Sequence, residues 1–563
     1  MHDLVIKGAR IIDGLGNPEI LGDVGVRDGR IAELGKLTQS GAETVEADGR
    51  VLCPGVIDTH THYDAQLTWD STASPSPALG VTTVVMGNCG FTIAPCPPSE
   101  RERVAANLSV VEGMDLKALE QGIDWGFESF PEYLDMLRDK GVYPNTAVLA
   151  GHSVTRTAVM GKEASERETP TDAELARMQA LVKEALDAGA IGFATSFSPN
   201  HLGANGVPMP STIASDDEVR ALAGVMKGRA HGVMQIASGS RGTVELLETF
   251  TQASGKRLFT TAALTMYNEA APDKALTLLD QMRVARERGN RIHAQVTCQP
   301  LSFDFTPANP YPFYSHDAFA DIKASSAQVL RAAYARPEFR AAFKANLAAP
   351  QPGVIFYGNW DRIEVAVAAL EKNAGLQNRT FAEIARERGQ DPVDVFFDLA
   401  LEEDLQTTVI GRFLNVAEEG VGPILKHESG LVSLSDAGAH LIFMCDAGFA
   451  CHFLSHWVRE RGEFELVEAI RRLTSHPAEL YGLPDRGRIE LGAHADLLLF
   501  DPATIAISKP RRVGDLPGGG MRAIRESSGI HGVWVNGRRV YDERGYVDHG
   551  KGPGQVLTRF NPN

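Results

Sequence analysis

Residues 53–64 read CPGVIDTHTHYD, a short apolar run that ends in two histidines. The run predicts a β-strand over 55–62, and residues two apart on a strand point to the same face. His60 and His62 would then lie side by side at the carboxyl end of this strand, where barrel enzymes carry their catalytic groups. Two such imidazoles can bind one divalent cation. The alternative is a pair of partly buried histidines that bond to backbone groups.

The middle of the chain alternates short apolar runs with helical patterns, as a parallel sheet requires. Eight runs are candidate strands: 55–62, 81–86, 145–150, 190–196, 232–238, 257–265, 290–297 and 430–436. Several intervening helices begin with a Ser or Thr cap followed three residues later by Glu: Thr171 with Glu174, Ser215 with Glu218, and Thr380 with Glu383. Eight such units predict an α/β fold, a (β/α)8 TIM-like barrel over residues 55–483.

Both ends of the chain show a different, strand-rich pattern. Residues 1–54 and 484–563 alternate apolar with polar positions and break at Gly and Asp-Gly turns, and Asn536-Gly537 is a strong hairpin signal. Because the termini of a domain often lie close together, we expect the two ends to form one small β-sandwich domain.

One stretch, within about 298–425, is too long for a single connection between strand and helix. Its helical patterns over 343–347, 365–370 and 382–388 favour an ordered insertion. An insertion at the carboxyl rim of a barrel would be placed to act as a lid over the substrate.

Composition excludes several classes of function. A net charge of −17 argues against a nucleic-acid partner and against an anionic membrane surface. The N-terminus lacks the apolar stretch and cleavage site of a signal peptide, and no run reaches the ~18 apolar residues of a membrane span. Six scattered cysteines do not form a disulfide framework. We expect a cytoplasmic protein, with a homo-oligomer left open.

Several motifs together resemble a known family. "PGVIDTHTH" (54–62) looks like the first-strand signature of the amidohydrolase superfamily, and "GRIELGAHADLLLFD" (487–501) looks like its return to the small β domain. "GVTTVVMGNCGFTIAPC" (80–96), "AGHSVTRTAVMG" (150–161) and "SDAGAH" (435–440) resemble the D-aminoacylase, or N-acyl-D-amino-acid deacylase, branch. The motifs span nearly the whole chain.

The resemblance implies a metal-dependent hydrolase. His60, His62, Cys89 and Asp436 match metal ligands of that branch, and the metal is expected to be zinc, one ion rather than two. Asp436 also matches the residue that takes a proton from water and delivers it to the leaving amine. The alternatives are a small buried role for Cys89 and a helix-capping role for Asp436. The expected substrate is an N-acyl-D-amino acid or a related small N-acyl compound.

The chain departs from this branch at the fifth and sixth strands, where two further metal histidines are expected. The fifth strand offers Gln235, and the sixth offers only threonines and apolar residues. Three explanations stay open. The metal sits with the remaining ligands, replacement ligands come from His152, His201 or His293, or the protein has lost its metal-dependent chemistry.

Substrate contacts and rival functions complete the expectations. His152, Gln235 and His440 are candidates for binding substrate, and Arg156 or Arg241 for holding a substrate carboxylate. One rival is a hydantoinase-like cyclic-amide hydrolase, which the absence of a lysine from the fourth strand disfavours. The other is a catalytically silent barrel that serves as a scaffold.

Overall fold

The centre of the protein is a curled parallel sheet of eight strands. The structure is a computed structural model that describes residues 1–323, 325–351, 354–441 and 446–562. The strands are β1 Val56–Asp58, β2 Val81–Met86, β3 Asn145–Gly151, β4 Gly192–Ser196, β5 Val233–Ala237, β6 Arg257–Thr260, β7 Ile292–Val296 and β8 Gly430–Val432. Each coincides with one of the eight predicted runs, and their order in the sheet is their order along the chain. The alternating strand and helix pattern is therefore confirmed.

The segments that follow β1 and β8 are hydrogen-bonded to each other. The His62 amide donates to the Ala437 carbonyl at 2.8 Å, and the Asp436 amide donates to the His60 carbonyl at 3.2 Å. Both strands are shorter than predicted, so His60, His62 and Asp436 lie just beyond the strand ends. Beyond the strand ends the backbone no longer follows the β-pleat, and side chains from the two segments lie close together.

Helices pack around the parallel sheet and follow its strands along the chain. They are Arg101–Val111, Leu116–Gly122, Phe130–Lys140, His152–Met160, Asp172–Ala188, Asp216–Gly224, Val244–Ser254, Lys274–Glu287, Glu418–Lys426, Phe449–His452, Leu466–Leu473 and Ser475–Tyr481, with a π-helix over Phe453–Glu460. The capping boxes predicted at Thr171 and Thr380 are present. Ser215 also caps its helix by accepting from the Glu218 amide. No helix among the described residues is both long enough and apolar enough to cross a membrane.

The parallel sheet encloses an apolar core. Ile57, Val85, Leu149, Val233 and Leu431 come from five different strands, belong to one buried cluster, and are each at most 1% exposed. Burial of a side chain of this size contributes about 1.5–3 kcal/mol. This layer supports the carboxyl ends of the strands from below.

Strands from both ends of the chain share one mixed sheet. Its members are His2–Ile11, Ile20–Arg27, Arg30–Gly35, Gly41–Glu46, Val51–Pro54, Leu497–Phe500, Ile530–Val535, Arg538–Asp542 and Gly545–Tyr546. The two ends meet where Val51–Pro54 pairs antiparallel with Leu497–Phe500. Two further antiparallel pairs, Ala506–Ile507 with Ser527–Ser528 and Arg511–Leu516 with Gly520–Ile524, follow in the C-terminal part.

Residues 267–270 and 300–418 form a second compact unit, and the rest of the chain forms the first. The second unit has its own sheet, Leu301–Phe305, Ile363–Val367 and Thr408–Leu414, and the helices Ala327–Tyr334, Pro337–Ala348, Phe381–Arg388 and Pro392–Glu402. The helical pattern predicted over 365–370 was wrong. Those residues begin in a strand because Ile363 and Val365 pair with Gly411 and Val409. The lid role of this unit stays a prediction, as do the domain boundaries at 54/55 and 483/484.

Candidate metal centre

Four ligand atoms converge beyond the carboxyl ends of β1, β2 and β8. His60 Nε2 lies 3.3 Å from His62 Nε2 and 3.7 Å from the sulfur of Cys89. Asp436 Oδ1 lies 3.3 Å from His60 Nε2 and 3.2 Å from His62 Nε2. The structure thus brings together all four residues that the sequence proposed as metal ligands.

The loop Gly-Asn-Cys-Gly after β2 places the thiol, and its glycines are required by close packing. A Cβ atom on Gly87 would lie 2.6 Å from the Leu149 carbonyl oxygen, and one on Gly90 would lie 2.8 Å from that of Ala194. Both glycines have positive φ angles, and so does Cys89 between them, at 56°. A non-glycine residue in this region is uncommon and often marks a functional site.

The loop after β8 places Asp436 in the same way. Asp436 and His440 have φ angles of 49° and 54°. A Cβ atom on Gly438 would lie 2.6 Å from the His62 carbonyl carbon and oxygen, so only glycine permits this close approach. The motif "SDAGAH" therefore forms a tight turn that packs closely against the backbone of His62.

Two residues that the sequence analysis missed contact the outer nitrogens of the histidines. Gln295 Oε1 lies 2.6 Å from His60 Nδ1, and Glu112 Oε1 lies 3.0 Å from His62 Nδ1. The Gln295 acceptor at His60 Nδ1 favours the tautomer that can bind a cation through Nε2, and Glu112 is an ion-pair neighbour of His62. Gln295 was detectable as a polar residue two positions after His293 in a buried strand. Glu112 was detectable because a carboxylate is unfavourable at the negative end of a helix dipole, so its presence there indicates a role other than helix stability.

The charges of the cluster stabilise one another. Burial opposes ionisation of Asp436, yet hydrogen bonds from His60 and His62 hold its pKa well below the usual range. Burial also opposes ionisation of Cys89, but the two histidines lower the pKa of its thiol. The pKa of Glu112 is lowered too, because its attraction to His62 outweighs burial. Two carboxylates, a thiol whose pKa is lowered and two imidazoles form a donor set that suits a divalent cation.

Gln235 lies on β5 and is fully buried. Its Oε1 accepts a hydrogen bond of 2.6 Å from the Cys89 amide. Its Nε2 has no hydrogen-bond partner among the described residues. On β6, the residue in register with Gln235 is Phe259, which belongs to the apolar core. β5 thus carries an amide and no histidine, and β6 carries no histidine either.

The other two residues proposed to bind substrate differ in their surroundings. Both ring nitrogens of His152 bond to the protein, Nδ1 to Thr195 Oγ1 and Nε2 to Glu218 Oε1, each at 2.8 Å. His152 would have to give up one of these bonds to reach a substrate. His440 is part-buried, and its Nε2 lies 3.7 Å from Asp436 Oδ2. Of the two, His440 is beside the cluster.

The proposed replacement ligands do not join the cluster. His201 bonds through Nδ1 to Ser196 Oγ at 2.7 Å, and burial lowers its pKa to about 4. His293 stacks on Phe259 in the core, and burial lowers its pKa to about 3. Among the described residues, the group whose ligand atoms lie within 4.8 Å of one another is His60, His62 and Cys89.

Both arginines proposed to hold a substrate carboxylate pair with carboxylates of the protein. Arg156 Nε lies 3.3 Å from Glu218 Oε1, and its other nitrogens donate to backbone carbonyls. Arg241 pairs with Asp216 and covers the ring of Phe197.

The sequence matches the amidohydrolase family over residues 43–541. The chain belongs to the amidohydrolase family. D-aminoacylase of Alcaligenes xylosoxydans xylosoxydans is 29% identical over 99% of this chain and 98% of its own length. N-acyl-D-aspartate deacylase of the same organism is 29% identical over 99% of this chain and 95% of its own length. The predicted D-aminoacylase branch of the superfamily is confirmed.

A solved structure agrees with this grouping. N-acyl-D-glutamate deacylase from Bordetella bronchiseptica, in complex with zinc and a phosphonate that mimics the tetrahedral intermediate, superposes with a TM-score of 0.67. It is 26% identical and covers 99% of this amidohydrolase and 100% of its own chain. The likeness therefore includes both the parallel sheet and the terminal strands.

Proposed function

We propose that this amidohydrolase hydrolyses the linear amide bond of an N-acyl-D-amino acid, or of a related small N-acyl compound, with one bound zinc ion. The observation that carries the proposal is the convergence of His60, His62, Cys89 and Asp436 in a full-length relative of D-amino-acid deacylases. Its reaction is that of a hydrolase acting on carbon–nitrogen bonds other than peptide bonds.

The donor atoms of His60, His62 and Cys89 suit one zinc ion, and Asp436 lies beside the two histidines. Zinc binds nitrogen or oxygen at about 2.0–2.1 Å and sulfur at about 2.3 Å, and a tetrahedron then separates its ligands by about 3.3–3.7 Å. Asp436 Oδ1 lies 3.3 and 3.2 Å from the two histidine nitrogens, and the Cys89 sulfur lies 3.7 Å from His60 Nε2. The three atoms from His60, His62 and Cys89 all lie within 4.8 Å of one another, a group that does not include Asp436. His60, His62 and Cys89 would hold the ion and leave a position for water or substrate, with Asp436 as a further candidate ligand beside the two histidines. One ion is proposed because neither β5 nor β6 carries a histidine.

A bound zinc ion supplies Lewis acidity that polarises a carbonyl and lowers the pKa of water. The chain's own contribution is proton transfer by Asp436. Its Oδ1 faces the two histidines, whereas its Oδ2 lies on the side of His440, 3.7 Å from Nε2. Its position beside the two histidines would let the carboxylate accept a proton from the attacking water. It then passes that proton to the amine nitrogen as the carbon–nitrogen bond breaks.

The rival functions have less support. A cyclic-amide hydrolase of the hydantoinase kind would need a lysine on the fourth strand, and β4 reads Gly-Phe-Ala-Thr-Ser. A silent scaffold would have no use for an intact proton-transfer residue beside an intact ligand cluster. We also propose that the parallel sheet closes into a (β/α)8 barrel through the contacts between His62 and Ala437, and that the terminal strands form a β-sandwich domain.

The test is hydrolysis of matched N-acetyl-D- and N-acetyl-L-amino acids by zinc-loaded protein, followed as release of free amino acid. We expect the D series to be hydrolysed at a rate that chelator treatment abolishes and zinc restores. Elemental analysis should find about one zinc per chain, as one ligand cluster implies. Zinc-loaded protein that releases no amino acid from any member of the panel would overturn the proposal.

A further inference from the structure

The side-chain amide of Gln235 is buried, and only its oxygen has a hydrogen-bond partner among the described residues. The residue is 0% exposed, and its Nε2 has no hydrogen-bond partner among the described residues. A buried donor left unpaired costs about 1–3 kcal/mol, so such a group usually has a use.

The orientation of this amide follows from its one strong bond. The Cys89 backbone N–H is a donor, so the atom that meets it at 2.6 Å must be the acceptor oxygen. The two N–H bonds of Gln235 are therefore on the other side of the carboxamide. They cannot bind a cation, because an amide nitrogen offers donors and no lone pair.

This donor lies beside the ligand cluster. Gln235 is bonded to the backbone of Cys89, whose sulfur is 3.7 Å from His60 Nε2. The bond to Cys89 orients the carboxamide, and the side chain is fully buried. A rigid donor near the reacting carbonyl stabilises the negative charge that develops on its oxygen.

We propose that Gln235 Nε2 donates a hydrogen bond to the oxygen of the scissile amide carbonyl as that oxygen becomes an oxyanion. The inference rests on the proposed function and adds a catalytic residue to it. In the reaction, water oxygen bonds to the carbonyl carbon and the carbonyl electron pair moves to its oxygen, where Gln235 meets it. The pair then returns, the carbon–nitrogen bond breaks, and the amine leaves with the proton carried by Asp436.

The experiment compares an amide substrate with its thioamide, in which sulfur replaces the carbonyl oxygen and accepts hydrogen bonds weakly. The variant is Gln235→Met, which has a similar length and no donor. We expect it to lower kcat/KM for the amide by about 100- to 1000-fold with little change in KM, as for loss of one oxyanion donor. The thioamide should lose far less, because sulfur gains little from the donor in the unaltered protein.

Three controls make the result decisive. Gln179→Met removes a half-buried carboxamide that donates to the Ala221 carbonyl between outer helices, and it should leave the amide-to-thioamide ratio unchanged. Zinc content and melting temperature show whether Gln235→Met is folded and loaded. If it is not, Gln235→Glu keeps the acceptor for the Cys89 amide, lacks the donor, and should show the same loss of discrimination.

Two outcomes would overturn the inference. Equal losses for amide and thioamide, or full activity in the Glu variant, would show that Gln235 serves only to hold the Cys89 loop, and the deacylase function would stand. An unaltered protein that hydrolyses neither substrate would overturn the proposed function, and this inference with it.

Discussion

Replacement of Gln295 by Leu should weaken zinc binding although Gln295 is not itself a proposed ligand. Its Oε1 accepts a 2.6 Å hydrogen bond from His60 Nδ1, and its Nε2 donates to the Thr59 carbonyl at 3.2 Å. Leu has a similar volume and leaves the buried Nδ1–H without an acceptor, at a cost of about 1–3 kcal/mol. Part of that energy is recovered if His60 changes tautomer, which places the proton on the nitrogen that should hold zinc. Either way the affinity for zinc falls.

The expected loss is about 10- to 100-fold in zinc affinity, which corresponds to about 1.4–2.8 kcal/mol. Competition against a chromophoric chelator at neutral pH measures it directly. Gln295→Glu keeps an acceptor at the same place and should retain most of the affinity, and Gln179→Leu is the control for loss of an amide elsewhere. Unchanged affinity in Gln295→Leu, or an equal loss in Gln295→Glu, would refute the assignment of His60 Nε2 as the ligand atom.

Three further predictions test the cluster and the core. His60→Ala removes the nitrogen common to three of the close contacts, so bound zinc and hydrolysis should be lost together, and elemental analysis that finds full zinc in an active variant would contradict the site. Asp436→Asn keeps an oxygen ligand but cannot take up a proton, so it should retain zinc while turnover falls by about 100-fold or more; near-normal turnover in steady-state assays would exclude Asp436 as the proton-transfer residue. His293 is neutral when folded because burial lowers its pKa to about 3, whereas the unfolded chain takes up the proton near pH ~6.5. The free energy of unfolding should therefore fall as the pH drops below that value. In His293→Leu, the change of this free energy with pH should be smaller by up to about 1.4 kcal/mol per pH unit. Urea unfolding at several pH values measures both slopes, and identical slopes would contradict the prediction.

The sequence alone predicted the eight strands and proposed the residues of the cluster. Periodicity and caps are local properties, so the eight apolar runs and the helices that begin at Thr171 and Thr380 were readable without a structure. The motifs around His60, Cys89 and Asp436 were recognised by their resemblance to those of the amidohydrolase superfamily and its D-aminoacylase branch, and the structure shows that their glycines lie at close turns. The helix predicted over 365–370 was wrong because a short apolar run is compatible with either a helix or a strand. The strand forms because Val365 pairs with Val409, which is distant in sequence.

Only the tertiary structure decided which hydrogen-bond and ion-pair partners the buried polar side chains have. Glu218, expected to complete a capping box, lies 2.8 Å from His152, which is 66 positions away. Gln295 and Glu112 reach the two histidines across separations of 235 and 50 positions, and no local pattern contains such pairs. The amide of Gln235 became informative only when one end was seen bonded and the other unpaired. The sequence specifies local conformation, whereas partners of buried polar atoms are set by which distant segments the packed core brings within hydrogen-bonding distance.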